Sequence, residues 1–251
     1  MPAGRERRER RLPPFHWWRT VFYLIPVVSL YTIVLGTASL LSTLVDRRGT
    51  FGHRCARTWA WLILKTTGVT VTVSGLEHLE PGRSYVVAAN HQSIYDIPIL
   101  FTALPLDLRI VAKDSLGRIP FLGWHLQRTG HLLVDRKHPG AGILKRMAQL
   151  VRASRSVIVF PEGTRSLDGG VGRFKGGIFL LAIDSDLPVV PVSIVGSRFV
   201  MRKGRLMVCP GAVALTVHPV MATTGITREQ ARSFAEEVRA VIVNTAGNDA
   251  I

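Results

Sequence analysis

The sequence predicts an α/β domain with a mostly parallel central sheet flanked by helices, preceded by an N-terminal membrane-anchoring helical region. Three observations lead there. From residue 69 onward, short β-rich runs alternate with helix-like stretches, the pattern of strands joined by helical crossovers. An uncharged run over 20–45 precedes them. At 251 residues the chain can bury one substantial core and carry a small appendage, so the expected division is 1–67 for the N-terminal region and 68–251 for the domain.

Residues 1–11 are Arg-rich and polar, and Phe15, Trp17 and Trp18 then supply an interfacial belt with Arg19 as its flanking anchor. As a helix rising ~1.5 Å per residue, the uncharged run would be about 39 Å long, more than a hydrocarbon layer of roughly 30 Å requires. A cleaved signal peptide ending near Gly36-Thr37-Ala38 fits less well, because the apolar run continues through Leu40, Leu41 and Val45. The second apolar stretch, 58–64, is too short to span. With Arg54, Arg57 and Lys65 around Trp59, Trp61 and Leu62, it is expected to lie at the interface with its cations reaching toward headgroups. Pro26 and Gly36 allow the first helix to bend, and arginines flank both its ends, so the pair predicts a two-helix anchor within one leaflet.

Strands are expected at 69–73, 85–89, 108–112, 131–134, 157–160, 189–194, 206–209 and 213–217, with helices at 97–103, 120–127, 141–153 and 177–184. Thr227 and Gln230 form a possible capping box. Ala231, Phe234, Val238 and Val241 follow at helical spacing, which predicts a C-terminal amphipathic helix.

The net charge is +15, from 32 Lys and Arg against 17 Asp and Glu, and such a field attracts nucleic-acid phosphates, anionic lipids or small anions alike. Cys55 and Cys209 are isolated, which excludes a disulfide framework and a paired-cysteine zinc site and fits a reducing, cytosol-facing location. There is no HExxH, no GxSxG elbow and no GxxxxGK[ST] loop. The glycine-rich 169–177 stretch matches neither nucleotide fingerprint and reads as a mobile loop, or more sharply as an anion-binding one.

Two strand ends carry chemistry. The first is Asn90-His91-Gln92-Ser93-Ile94-Tyr95-Asp96. Residues five apart on a helix lie about 140° apart, so His91 and Asp96 can meet only if His91 sits on the turn before the helix. There Asp96 would hold one imidazole nitrogen and leave the other to accept a proton. The same pair also reads as a loop histidine beside a helix N-cap. The second strand end is Phe160-Pro161-Glu162-Gly163-Thr164-Arg165-Ser166, in which Pro161 stops the strand, Gly163 permits a tight turn, and Thr164 and Arg165 offer donors to a phosphate. Its plainer reading is an exposed turn with a weak Glu162–Arg165 pair. Arg173 and Lys175 add cations just beyond.

These two blocks resemble the signature blocks of the 1-acylglycerol-3-phosphate acyltransferase family. Arg118-Ile119-Pro120-Phe121-Leu122-Gly123 with Val134-Asp135-Arg136, and Val190-Pro191-Val192-Ser193-Ile194, agree in the family's order, and the match covers about 69–217. The resemblance implies the glycerolipid acyltransferase fold, His91 as general base, Asp96 as its partner, and Glu162, Gly163, Thr164 and Arg165 in the acceptor glycerol-phosphate site, with Lys113, Asp135, Arg136 and Lys175 in support. It implies acyl transfer from acyl-CoA or acyl carrier protein to the sn-2 hydroxyl of lysophosphatidic acid. The acyl donor is a substrate, and no metal or cofactor is called for, since a thioester is already activated and needs only a base, orientation and oxyanion stabilisation. Membrane lipids are the expected surroundings, on the cytosolic face where a soluble thioester is found. The alternative acceptor is another lysophospholipid or a lyso-aminolipid. A metal-dependent hydrolase fails for want of a ligand pattern, and a nucleic-acid partner for want of aromatic and basic interleaving.

Overall fold

The computed structural model describes residues 14–46, 49–134, 149–150 and 155–246. Helix α1 (Pro14–Arg19), a π-helical turn (Thr20–Leu24) and α2 (Ile25–Ser42) run on as one rod whose Phe15–Ser42 portion is long and apolar enough to cross a membrane. Little of the rod is buried, which separates it from the buried core helix of a soluble protein. Helix α3 (Thr50–Thr67) returns antiparallel beside it, since Arg19 Nη2 donates to Thr67 O at 2.9 Å, Tyr31 Oη meets Thr66 Oγ1 at 3.1 Å and Trp59 Nε1 donates to Thr32 Oγ1 at 3.0 Å. Asp46 makes the turn between them by accepting the backbone N–H of Gly49 and of Phe51. Gly68, at φ +77°, ends α3 and leads straight into the sheet.

The stretch over 58–64 expected at the interface is the second half of a longer helix with one face buried. Gly52, Cys55, Ala60, Ile63 and Leu64 are buried, and α3 is wedged between α2 and the domain, leaving Phe51 and Trp61 on its outer side. Two cations expected at headgroups instead satisfy helix ends. Arg57 donates to Leu104 O and Thr102 O, and Arg19 caps the final carbonyls of α3. An unpaired carbonyl inside the protein is costlier to leave than a headgroup contact is to lose, so the cations turn inward.

The sheet comprises β1 (Val69–Ser74), β2 (Val86–Ala89), β3 (Leu108–Lys113), β4 (Leu132–Val134), β5 (Ser156–Val159), β6 (Val189–Val195) and β7 (Gly211–Val217), in the order β1-β7-β6-β2-β5-β3-β4. Every pairing is parallel except β6 with β7. Strands β2 and β5 are buried on both faces, which explains their unbroken apolar runs. Val87 and Ala89 face one core with Ile63 and Leu100, while Val86 and Ala88 face another with Phe179, Phe234 and Val238. Helices α3 and α4 (Asp96–Ala103) therefore cover one side, and α6 (Gly176–Asp184) and α8 (Ala231–Ala246) the other.

The capping box at Thr227 and Gln230 is present and opens a short 3-10 turn leading into α8. The strand expected at 206–209 is absent. Both edges of β7 are taken, by β1 and by β6, and Val208 N–H instead bonds Thr20 Oγ1 at 2.9 Å, clamping the N-terminal rod to the domain. Of the helix expected over 141–153, all but 149–150 lie outside the described residues.

Helix α5 (Leu122–Arg128) joins this clamp through His125, whose Nδ1 lies 2.7 Å from Ser39 Oγ of α2. His131 Nδ1 accepts the Ile110 N–H at 3.1 Å, so in the neutral ring the proton sits on Nε2. Burial lowers the pKa of His53 and of His125 to about 4, and that of His131 well below its usual 6.5. The folded values lie below the unfolded one. The stability these neutral rings contribute is therefore complete above about pH 6.5 and is lost as pH falls toward 4. Thermal melts in detergent, followed by tryptophan fluorescence, should show Tm dropping between pH 7 and pH 4.5. His125→Gln, which keeps a polar partner for Ser39 but cannot titrate, should show a shallower drop, and an equal slope would remove His125 from the effect.

Candidate active site

The two motif-bearing strands are parallel neighbours in register, with Val86 opposite Val157, Val87 opposite Ile158 and Ala88 opposite Val159. Their carboxyl ends must therefore open side by side, at the edge of the sheet where α/β proteins assemble sites. Beyond the ladder, side chains and loops continue the alignment. The Asn90 amide bonds both backbone groups of Ile194 on β6, at 2.9 and 2.8 Å, and Ser166 N–H donates to His91 O at 2.7 Å.

His91 lies on the turn before α4, as the 140° argument requires, and its Nδ1 is 2.8 Å from Asp96 Oδ2. Asp96 is fully buried, and the same oxygen accepts the N–H of Gln92 and of Ser93 at 2.8 and 2.9 Å. It folds the turn around itself and is not a helix N-cap. A carboxylate fed by three donors fixes the neutral imidazole with its proton on Nδ1, leaving the Nε2 lone pair free to accept one. Phe160 stacks on the ring at 3.9 Å between centroids and 17° between planes, so the orientation is set from two directions.

Glu162 is nearly buried and forms no pair with Arg165. Its Oε1 accepts the His91 N–H at 2.8 Å and its Oε2 the Gly172 N–H at 2.9 Å. Burial holds its pKa above the usual carboxylate range, and these two N–H donors offset only part of that rise. Glu162 thereby ties the His91 turn to the glycine-rich loop, and it lines the same hollow as Arg165. That loop is tied down along its length, by the Gln92 amide at Gly169 O and by Arg239 at Gly172 O.

Gly163 sits at φ +73°, a backbone conformation that favours glycine, and the Lys175 ammonium packs over its Cα. Lys175 is exposed beside this turn. Arg165 and Arg173 line the hollow between the turn and the glycine-rich loop, and the Arg165 guanidinium makes no hydrogen bond among the described residues. Thr164 Oγ1 and Arg165 O both accept from Lys203 Nζ, at 2.9 and 2.8 Å. No motif marks Lys203, and its only trace in the sequence is the basic cluster Arg202, Lys203, Arg205. Lys113 is exposed at the end of β3, on the same sheet edge but lining neither cavity described here. Asp135 and Arg136 lie outside the described residues.

A second cavity is almost wholly apolar. Its lining includes Ile94 and Ile97, at the His91 turn and the start of α4, Gly36 of α2, Trp59 of α3, and His125 and His131. Sequence reading missed it because its walls come from elements far apart in the chain, from α2 to the residue before β4. Among the described residues no three His, Cys, Asp or Glu side chains converge as metal ligands would. The site thus combines an oriented imidazole, a cationic hollow and an apolar channel beside the same turn, an arrangement that can bind an amphiphile carrying an anionic head and deprotonate a hydroxyl between its two ends.

The Acyltransferase family model matches residues 70–195. The 1-acyl-sn-glycerol-3-phosphate acyltransferase of Saccharomyces cerevisiae is 31% identical over 213 residues, 83% of this chain and 70% of that protein. The mouse enzyme of that name, alpha form, is 34% identical over 176 residues, 68% of this chain and 62% of its own length, and the chloroplastic BAT2 enzyme of Brassica napus is 35% identical over 71% of this chain and 52% of its own. The chain therefore spans between about half and somewhat over two thirds of these relatives. The crystal structure of PlsC, the 1-acyl-sn-glycerophosphate (LPA) acyltransferase of Thermotoga maritima, superposes with a TM-score of 0.73 at 26% identity, over 92% of this chain and 97% of that one. Family model, relatives and solved structure agree with the residues assembled at the sheet edge, and the chain belongs to the 1-acyl-sn-glycerol-3-phosphate acyltransferase family.

Proposed function

We propose that this chain transfers a fatty acyl group from an acyl thioester, acyl-CoA or acyl carrier protein, to the sn-2 hydroxyl of 1-acylglycerol-3-phosphate, forming phosphatidic acid. The observation that carries the reading is the His91–Asp96 pair at 2.8 Å, set between a cationic hollow and an apolar cavity. Relatives named for this activity support it. His91 Nε2 takes the hydroxyl proton as the oxygen attacks the thioester carbonyl. The tetrahedral intermediate then collapses, the C–S bond breaks, and the departing thiolate recovers the proton from the imidazolium. Asp96 holds the tautomer and stabilises the imidazolium. No enzyme-bound acyl group is needed, and the reading uses no metal or cofactor.

In this reading Arg165 receives the acceptor phosphate, with Arg173 and Lys175 adding positive field, and the apolar cavity takes an acyl chain. The exposed aromatic group Trp17, Trp18 and Phe22, whose rings contact one another, suits a bilayer interface. The active site would then sit on the cytosolic side, where soluble thioesters are.

The reading is tested by offering purified enzyme a matrix of acyl donors and lysolipid acceptors and weighing the products. Phosphatidic acid should dominate, whereas a preference for a lyso-aminolipid would refute the acceptor assignment. His91→Ala should slow the chemical step by ~10²–10⁴-fold with folding and membrane binding intact, Asp96→Asn should lose a comparable amount, and the double variant should be little worse than either, because residues acting as a unit are not additive. Near-normal turnover of folded His91→Ala protein would return the pair to a structural role. Gly36 lines the apolar cavity, and an added Cβ would meet Phe121 Cβ at 3.1 Å. Gly36→Val should therefore shift acyl preference toward shorter chains, read as the ratio of long to short products in the same matrix, and an unchanged ratio would place the acyl chain elsewhere.

A further inference from the structure

The cationic hollow contains more charge than the Gly163 turn supplies. Lys203 enters it from the turn after α7 (Ser197–Val200), a segment outside every signature block. That segment is tied to the catalytic turn, since Ser93 Oγ donates to Met201 O at 2.8 Å. It is tied to the wall of the hollow as well, since Arg198 donates to Asp168 O. The Lys203 ammonium uses two of its three N–H donors on Thr164 Oγ1 and Arg165 O, and the third remains for a ligand. Lys203 thus sits against the residue that bears the Arg165 guanidinium.

Glu162 and Asp168 also line the hollow, and neither carboxylate forms an ion pair with Arg165, Arg173 or Lys203. Both Glu162 oxygens accept backbone N–H groups. Asp168 Oδ1 accepts from Gly170 N and Ser166 Oγ, and these contacts lower its pKa. Lys203 Nζ is bonded to the backbone of Arg165 and both residues line the hollow, so their charges are best offset by a ligand that carries more than one negative charge. A phosphate monoester carries about −1.5 to −2 charge at neutral pH, with a second pKa near 6, whereas a diester carries only one.

We propose that Lys203 is a specificity residue which, with Arg165, makes the hollow select acceptors ending in a phosphate monoester over those whose phosphate is a diester. The proposal rests on the acyl-transfer reading and names the feature that sets its acceptor class. Arg165 supplies a planar fork for two phosphate oxygens, and Lys203 a point charge that a monoanionic head does not require.

The test compares wild type, Lys203→Met and Lys203→Arg at saturating acyl-CoA in mixed micelles, with lysophosphatidic acid and with lysophosphatidylglycerol as substrate or competing ligand. Lys203→Met should raise the KM for lysophosphatidic acid about tenfold while leaving kcat, and the KM or Ki for lysophosphatidylglycerol, within about threefold. The wild-type KM for lysophosphatidic acid should fall as pH rises from 5.5 to 7.5 through the second ionisation, and the Met variant should flatten that fall. Lys203→Arg should stay close to wild type. An equal loss for both lipids, or a loss in kcat with KM unchanged, would overturn the proposal and leave Lys203 as a brace for the Arg165 turn. Wild-type protein that acylated neither lipid would overturn the underlying acyl-transfer reading, and that failure is visible before any substitution is made.

Discussion

The Glu162 carboxylate is the joint on which the site depends. One oxygen holds the backbone N–H of His91 and the other that of Gly172, so the loop after β2, the loop after β5 and the glycine-rich segment are fastened at a single side chain. Its near-burial makes both bonds strong, and it also makes either loss expensive, because a buried carboxylate short of a donor retains its desolvation cost. The parallel register of β2 and β5 brings these loops within reach, and Glu162 converts that proximity into fixed geometry. Asp96 repeats the device one turn later, gathering three N–H donors on one oxygen, so that the imidazole is positioned by backbone groups that cannot choose another rotamer.

Much of this was legible in the sequence, for reasons that differ from residue to residue. The strand ends could be read because an apolar run stopped by Asn90 or Pro161 is a local signal, and the five-residue spacing of His91 and Asp96 constrains the turn between them by helix geometry alone. The Thr227 capping box is local too. Readings that failed were those that required knowing which edge or carbonyl was already occupied. Residues 206–209 have strand-like chemistry, but β7 has no free edge to offer them. Arg19 and Arg57 look like headgroup anchors, but unsatisfied carbonyls of α3 and around the end of α4 lay nearer. For Glu162 it is the plainer reading, a weak pair with Arg165, that fails, because both carboxylate oxygens are taken by the backbone N–H groups of His91 and Gly172.

The apolar cavity changes how the N-terminal region is understood. Its walls are shared between α2 and α3 on one side and β3, α4 and α5 on the other, so the helices are part of the enclosure as well as an attachment. Hydrogen bonds keep them there, through Ser39 to His125, Thr20 to Val208 N and Arg19 to the end of α3. Division of the chain at residue 68 is therefore natural for the sequence pattern and unnatural for the cavity.

That sharing bears on how two very different substrates could meet at one imidazole. In the proposed reaction the acceptor head is anionic and the acyl chain is oil-like, and no single environment suits both. The fold separates them across the His91–Asp96 turn. Ile94 and Ile97 give one side of the turn and the following helix to the apolar cavity, while the backbone N–H of His91 is committed to Glu162, at the edge of the cationic hollow. With the acyl chain and the phosphate placed as proposed, charge in the hollow is kept away from the chain, and the hydroxyl to be acylated falls at the boundary because it is the part of the acceptor that joins head to tail. An oriented base is most useful at that boundary. Nε2 needs no long reach there, and the low-polarity wall behind it strengthens the Asp96 interaction that keeps its lone pair directed outward.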